Sequence, residues 1–200
     1  MLHIKNLKNR LESLPKYIVK QEIELPIYES SLAGIIDPES IKEKCLTIYE
    51  TEEGDPNVKH FLKNSWKSPY YQKGSPNFEK FNDLAVALLD KLHSVEALRK
   101  SEMRFHVREF WIVIYTEGSE IHWHTHIPNV NGFTRLTGTY YPVASARAEP
   151  IEFQHSDGTI SIPVTKDKVL IFPSMLHHRV PACVDSEPRI VVGFNFSGLY

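Results

Sequence analysis

From Arg104 to Phe196 the chain is written almost entirely in strands. RFHVREFWIVIY (104–115), RLTGTYYPV (135–143), PIEFQ (150–154), TISIPV (159–164), KVLIFP (168–173) and RIVVGFNF (189–196) alternate or run apolar over strand lengths, with turn residues between them. No helical stripe separates them. Parallel neighbours need long crossover connections, so these strands are expected to pair largely antiparallel. Many short strands in about a hundred residues predict a mainly β fold (α+β overall): a sandwich, jelly roll or barrel.

The first half reads differently. Ile4, Leu7, Leu11 and Leu14 fall on one helical face, stopped by Pro15. EIELPIYES (22–30) is a short strand interrupted by Pro26, which places it at a sheet edge. Asp37-Pro38-Glu39 is a helix start, with a cap, a proline in the first turn and an acid, and Ile41, Cys45 and Tyr49 continue its apolar side. TEEGDPNVK (51–59) is a loop. Ser75-Pro76 opens the longest predicted helix, striped by Phe78, Phe81, Leu84, Leu88 and Leu92. These amphipathic helices are expected to cover one outer face of the sheet. The expectation is one domain over 1–200, with a mixed helical part and an edge strand (1–103) followed by a β core (104–200).

Composition excludes several partners. A net charge of −2 with interspersed signs offers no basic field to nucleic acid and no polybasic segment to a membrane. No apolar run approaches the roughly 18–20 residues of a transmembrane helix, and MLHIKNLKNRLESL lacks the apolar core of a signal peptide. Cys45 and Cys183 lie far apart without a CxxC pattern, which argues against a disulfide framework or cysteine zinc site and for a reducing cytoplasm. The partner expected is a small molecule or peptide; oligomeric state is not encoded in any pattern.

Histidines supply the chemical signal. His122, His124 and His126 alternate in EIHWHTHIPNVNG (120–132), beside Trp123, so an extended strand would point all three to one face. The i, i+2 geometry of His124 and His126 lets two imidazoles from one strand chelate one metal. A third ligand must come from elsewhere, and KVLIFPSMLHHRVPA offers His177 and His178 after a strongly apolar strand. Three such ligands leave coordination positions open for substrate and oxygen. His122 suits a supporting donor, a substrate contact or a surface position; His155, in a turn, is not expected to ligate.

The last strand adds a second signal. In RIVVGFNF, Ile190, Val192, Phe194 and Phe196 form a greasy face for helices, whereas Arg189, Val191, Gly193 and Asn195 form a small, polar face suited to a pocket interior. An arginine there needs an anion. A dicarboxylate matches its bidentate fork; a protein carboxylate is the alternative.

Taken in order, H-x-(acid or His), a strand with a YY pair, FPSxxxH and R-x-x-x-x-F-N-F resemble the iron(II)/2-oxoglutarate-dependent oxygenases, which are built on a double-stranded β-helix (jelly roll). The sequence is most similar to the 2OG-Fe(II) oxygenases of phages and marine bacteria, and it also resembles prolyl-hydroxylase-like enzymes through Pro128-Asn-Val-Asn-Gly132 and Tyr140-Tyr141. The resemblance covers residues 104–197 well and 65–72 weakly. It implies Fe(II), 2-oxoglutarate and O2 as cofactor and cosubstrates, and hydroxylation of a C–H bond. It implies His124 and His178 as iron ligands, with His126 standing where an acid is commoner, and His177 facing away or supporting. Arg189 would grip the distal carboxylate of 2-oxoglutarate, Tyr141 and Tyr115 would offer hydroxyls, and Asn195 would share that pocket. His122 and Trp123 would support the site or touch substrate, and Phe153 and Phe172 would exclude water. Residues 144–150 and 129–135 are the expected specificity loops.

Two rival readings remain at this level. Gly118, His124-x-His126 and His178 also fit a cupin-type dioxygenase or isomerase that needs no keto acid, although Val130 or Asn131 stands where that pattern has glutamate and Arg189 would have no task. A ligand-binding jelly roll with unused histidines is the other.

Overall fold

A computed structural model describes residues 26–58, 61–99, 104–126 and 134–199 of the 200-residue chain. The Ile4–Leu14 helix, the start of the 22–30 strand and the 129–133 part of the second specificity loop lie outside the described residues. The strands are β1 (Tyr28–Ser31), β2 (Leu62–Lys67), β3 (Tyr71–Gln72), β4 (Arg104–His124), β5 (Thr134–Val143), β6 (Ile151–His155), β7 (Gly158–Ile162), β8 (Lys168–Pro173), β9 (His178–Val180) and β10 (Arg189–Leu199). The helices are α1 (Pro38–Thr51), α2 (Pro76–Glu79), α3 (Asn82–Ser94) and α4 (Glu96–Arg99).

The sheet runs β1-β8-β5-β10-β4-β9-β6-β7, with β2 and β3 also paired to β4, and its pairings are antiparallel. It curls on itself as a jelly roll, so its faces bury two different cores. Outside, Phe110, Ile112, Ile190, Val192, Phe194 and Phe196 meet Ile41, Cys45 and Ile48 of α1 and Leu84, Leu88 and Leu92 of α3. Inside, Trp111, Val113, Tyr115 and Val191 meet Phe153, Leu170, Phe172 and Val180 across the curl. Alternation in β10 and in β4, shifted once between Val107 and Glu109, feeds both cores, and each large side chain buried stabilises the fold by about 1.5–3 kcal/mol.

A corner in β4 makes the curl. The strand pairs with β10 as far as Arg189↔Tyr115, then with β9 from Ile121↔Val180. Between these, Gly118 takes φ +74°, a left-handed conformation that favours glycine, and its N–H bonds the Cys183 carbonyl at 2.7 Å. Ser119 Oγ accepts the Thr116 N–H at 2.8 Å, replacing a ladder bond at the bend. One long strand thereby serves both halves of the roll.

Several local expectations change. Asp37 caps α1 by accepting the Glu39 N–H, with Pro38 in the first turn, and β1 is an edge strand. Tyr49, however, is exposed and packs edge-on to Trp66 at 5.2 Å, while Ile48 takes the buried position. The helix expected from Ser75 to Leu92 is broken at Lys80–Phe81, which leaves α1 the longest described helix. On either side of the break the fully buried Phe78 and Phe81 rings both pack on Phe110, at 5.0 and 5.6 Å. β2 gives no period-two signal because Asn64 stands at φ +51° and Lys67 is buried and paired with Asp55 at 3.4 Å.

Candidate metal centre

His124 and His178 face each other across the β4–β9 pair, in register. The ring of each is oriented by the carbonyl two residues back: Nδ1 lies 2.9 Å from the His122 oxygen in one case and 2.9 Å from the Leu176 oxygen in the other. A carbonyl only accepts, so Nδ1 carries the proton and the Nε2 lone pair is free. That is how outer partners fix the tautomer of a metal-ligating histidine. His126 lies two residues past β4, where its backbone N–H bonds the Ser174 carbonyl at 2.9 Å. The Pro173–Leu176 turn, closed by Leu176 N–H to Pro173 O at 2.9 Å, therefore does two jobs. It pins His126 and it orients His178.

The three imidazoles form a compact group. Ring centroids stand 4.2 Å apart for His124–His178, 5.2 Å for His126–His178 and 5.3 Å for His124–His126, and one ligand atom from each lies within 4.8 Å of the others. Three nitrogens at about 2.1 Å from one ion, at right angles, stand about 3 Å apart, so ring rotations of about 1–2 Å complete a facial set. Burial pushes all three below the ordinary histidine range: His124 is lowered, His126 well lowered, and His178 brought to about 3, with the neighbouring imidazoles adding to the effect on His126 and His178. All three are neutral at pH 7, the form that ligates metal. Phe172 packs edge-on to His178 at 4.8 Å and Phe153 lies 6.0 Å away, which keeps that side of the ring dry.

A single cleft of about 430 Å³, including its mouth, runs from these histidines to Arg189, past Trp111, Tyr115 and Tyr141. Arg189 is 4 % exposed. Its Nη1 donates to the Glu149 carbonyl at 2.7 Å, its Nη2 reaches Cys183 Sγ at 3.7 Å, and its guanidinium lies 4.2 Å over the Tyr115 ring. Nε has no partner, and no carboxylate pairs with Arg189 among the described residues. A buried cation without a counter-ion is costly, and an anion at this end of the cleft would relieve that cost. Tyr141 OH accepts from Thr139 Oγ1 at 3.1 Å, which leaves its own proton to donate. Burial raises the pKa of both tyrosines, so both stay protonated donors.

The remaining site residues lie elsewhere. The register between Ile121 and His124 is shifted, so alternation fails there: His122 and Trp123 are both exposed, and the three alternate histidines do not share a face. Trp123 instead lies 4.8 Å from the Arg179 guanidinium, and only the carbonyl of His122 touches the group. His177 is exposed and bonds Gln154 at 3.0 Å. Asn195, expected beside Arg189, lies outside the cleft lining and donates to Glu109 Oε1 at 2.6 Å. Residues 144–150 meet the Arg189 end of the cleft through Glu149, not the histidine end. Trp111, Thr139, Glu149 and Cys183 escaped sequence reasoning. Trp111 was legible, two positions before Val113 and opposite Gly193, where a Cβ would come within 2.1 Å of its ring. The other three act through single atoms that no pattern marks.

No family model matches the sequence, and no curated protein does. The fold, in contrast, is shared with solved structures. A prolyl hydroxylase from Trichoplax adhaerens, in complex with a hypoxia inducible factor oxygen degradation domain peptide fragment, matches with TM-score 0.64 at 15% identity, over 98% of this chain and 93% of that one. A Pseudomonas putida prolyl-4-hydroxylase matches with TM-score 0.63 at 11% identity, over 87% and 93%. HygX from Streptomyces hygroscopicus, with nickel and 2-oxoglutarate bound, matches with TM-score 0.61 at 11% identity, over 86% and 83%. The likeness is one of fold: these solved structures share the jelly roll described above.

Proposed function

We propose that this protein is an oxygenase that uses Fe(II), 2-oxoglutarate and O2 to hydroxylate a C–H bond of its substrate. One observation carries the reading: a single cleft has three neutral imidazoles, two of them oriented by backbone carbonyls, at one end and a buried guanidinium without a counter-ion among the described residues at the other. His124, His126 and His178 would hold the metal. Bound iron supplies O2 activation coupled to decarboxylation of the keto acid.

The chain's own residues have distinct tasks. His122 O and Leu176 O keep the His124 and His178 lone pairs aimed at one point. Arg189 takes the distal carboxylate through Nε, its free donor, while Glu149 O holds the guanidinium in place. Tyr141 donates its hydroxyl proton to the same ligand. Phe153, Phe172 and Trp111 exclude water from the metal side. Three imidazoles bring no negative charge to the metal, so the dianionic keto acid would offset most of the positive charge that Fe(II) and Arg189 together carry, which would couple cosubstrate binding to metal binding. Arg189 separates this reading from the cupin alternative, in which a buried guanidinium opposite the histidines has no partner. The two cysteines are free thiols, which suits a reducing compartment such as the cytoplasm.

Anaerobic titration tests the reading. Wild type should bind one equivalent of Fe(II), and 2-oxoglutarate should then add a weak visible charge-transfer band. His124→Ala and His178→Ala should lose stoichiometric Fe(II), and His126→Asp should retain it. Full Fe(II) and 2-oxoglutarate binding by His126→Ala would reduce the protein ligands to two. Stoichiometric Fe(II) in His178→Ala, or no band with 2-oxoglutarate in wild type, would overturn the proposal.

A further inference from the structure

The inward column of β4 and β10 continues beyond the cleft lining, on the far side of Trp111. Cross-strand pairs step along one face as Tyr115↔Arg189, Val113↔Val191, Trp111↔Gly193 and Glu109↔Asn195. The last pair stands about 7 Å beyond Trp111, whose ring is 5.1 Å from His126. Glu109 is 8 % exposed and Asn195 4 %. Asn195 Nδ2 donates to Glu109 Oε1 at 2.6 Å, and the Gln72 Nε2 donates to Oε2.

Two features of this pair ask for a ligand. Glu109 is a buried acid held by neutral amides and paired with no cation among the described residues. Lys67, whose charge acts on Glu109, makes its direct contacts instead with Asp55 at 3.4 Å and the Ser68 carbonyl at 3.0 Å. Asn195 Oδ1 is buried with no donor among the described residues. The amide cannot turn to relieve this, because a carboxylate accepts only and Nδ2 must face Glu109. As a mere staple between β4 and β10 the pair is a poor solution, since an unsatisfied buried acceptor costs about 1–3 kcal/mol that an apolar pair would not. Two acceptors side by side, one of them anionic, fit a donor-rich cation.

We propose that Glu109 and Asn195 bind a protonated amine of the enzyme's substrate. The amine displaces the exposed Gln72 amide from Glu109 Oε2 and donates to Oε2 and to Asn195 Oδ1. Trp111, edge-packed with the half-exposed Tyr70 at 5.2 Å, carries the apolar body of the substrate toward the histidines. The substrate class is therefore an amine whose reacting carbon lies on the order of 10 Å from its nitrogen. Its role as substrate rests on the oxygenase reading; the amine site itself does not.

The test uses the full-length, metal-free, ¹⁵N-labelled protein, titrated at pH 7 with benzylamine, benzyl alcohol and benzoate. Benzylamine should bind about tenfold or more tightly than benzyl alcohol, benzoate should not bind, and the side-chain amide signals of Gln72 and Asn195 should move with the amine. Glu109→Gln, an isostere, should bring the amine to the alcohol's affinity. Equal affinity for amine and alcohol, no binding of any of the three, or a preference for the amine that survives Glu109→Gln overturns the proposal. The wild-type comparison decides alone where Glu109→Gln does not fold. Because no metal is present, discrimination of amines by a protein that takes up no Fe(II) would refute the oxygenase reading and leave this one standing.

Discussion

Arg189→Met separates a ligand-binding arginine from a structural one. In the free protein two effects oppose. Removing a buried guanidinium that faces no carboxylate relieves a desolvation cost of about 1–4 kcal/mol. Losing Nη1 leaves the Glu149 carbonyl short of a donor, at about 1–3 kcal/mol. Methionine fills similar volume, so the net change should lie within about 2 kcal/mol of zero, or roughly 4–8 °C in Tm for a chain of this size. The liganded protein behaves otherwise. Losing a buried charge-assisted contact should cost about 2–5 kcal/mol, or on the order of 30- to 5,000-fold in affinity for 2-oxoglutarate. The assay is calorimetric titration of 2-oxoglutarate into nickel-loaded protein, with thermal unfolding recorded with and without the keto acid. The stabilisation that 2-oxoglutarate confers on wild type should vanish while the ligand-free Tm stays within about 4–8 °C of the wild-type value. A variant that binds 2-oxoglutarate like wild type, or one that loses about 4 kcal/mol without ligand, would show that Arg189 braces the Glu149 and Cys183 loops instead.

Gly193→Ala should destabilise by about 2–3 kcal/mol in urea unfolding and weaken metal binding, because its Cβ would stand 2.1 Å from the Trp111 ring that packs on His126; unchanged stability would mean that Trp111 moves freely. Burial holds the three histidines below their unfolded value of 6.5, so below about pH 6.5 the unfolded metal-free chain binds more protons and stability falls as pH drops, whereas above it the contribution is constant. His178→Phe should flatten this dependence by about 1.4 kcal/mol per pH unit between pH 6 and 4, measured by denaturant unfolding, and an unchanged slope would show that His178 protonates freely in the native state.

Local rules made much of this protein legible in advance. Period-two patterning from Arg104 onward carries the antiparallel roll, because central strands such as β4 and β10 feed one core from one face and another from the opposite face. The same alternation in RIVVGFNF places Arg189 on the inner face and Phe194 and Phe196 under the helices. The spacing of His124, His126 and FPSxxxH marks the residues that the fold gathers. Where the backbone departs from the local pattern, the reading slips: the helix begun at Ser75 breaks at Lys80–Phe81, and a register shift turns His122 outward.

Tertiary structure alone decided the rest. Residues 54 positions apart, His124 and His178, become neighbours only because β4 turns a corner and leaves β10 for β9. The tautomers of both rings hang on two backbone carbonyls, and backbone atoms have no letter in a sequence. Asn195 follows Arg189 along one strand face, yet the Trp111 ring lying across Gly193 divides that face and sends Asn195 to Glu109. Periodicity states which way a side chain points; only the assembled sheet states what stands opposite it, because partners are set by register and curvature summed over the whole chain.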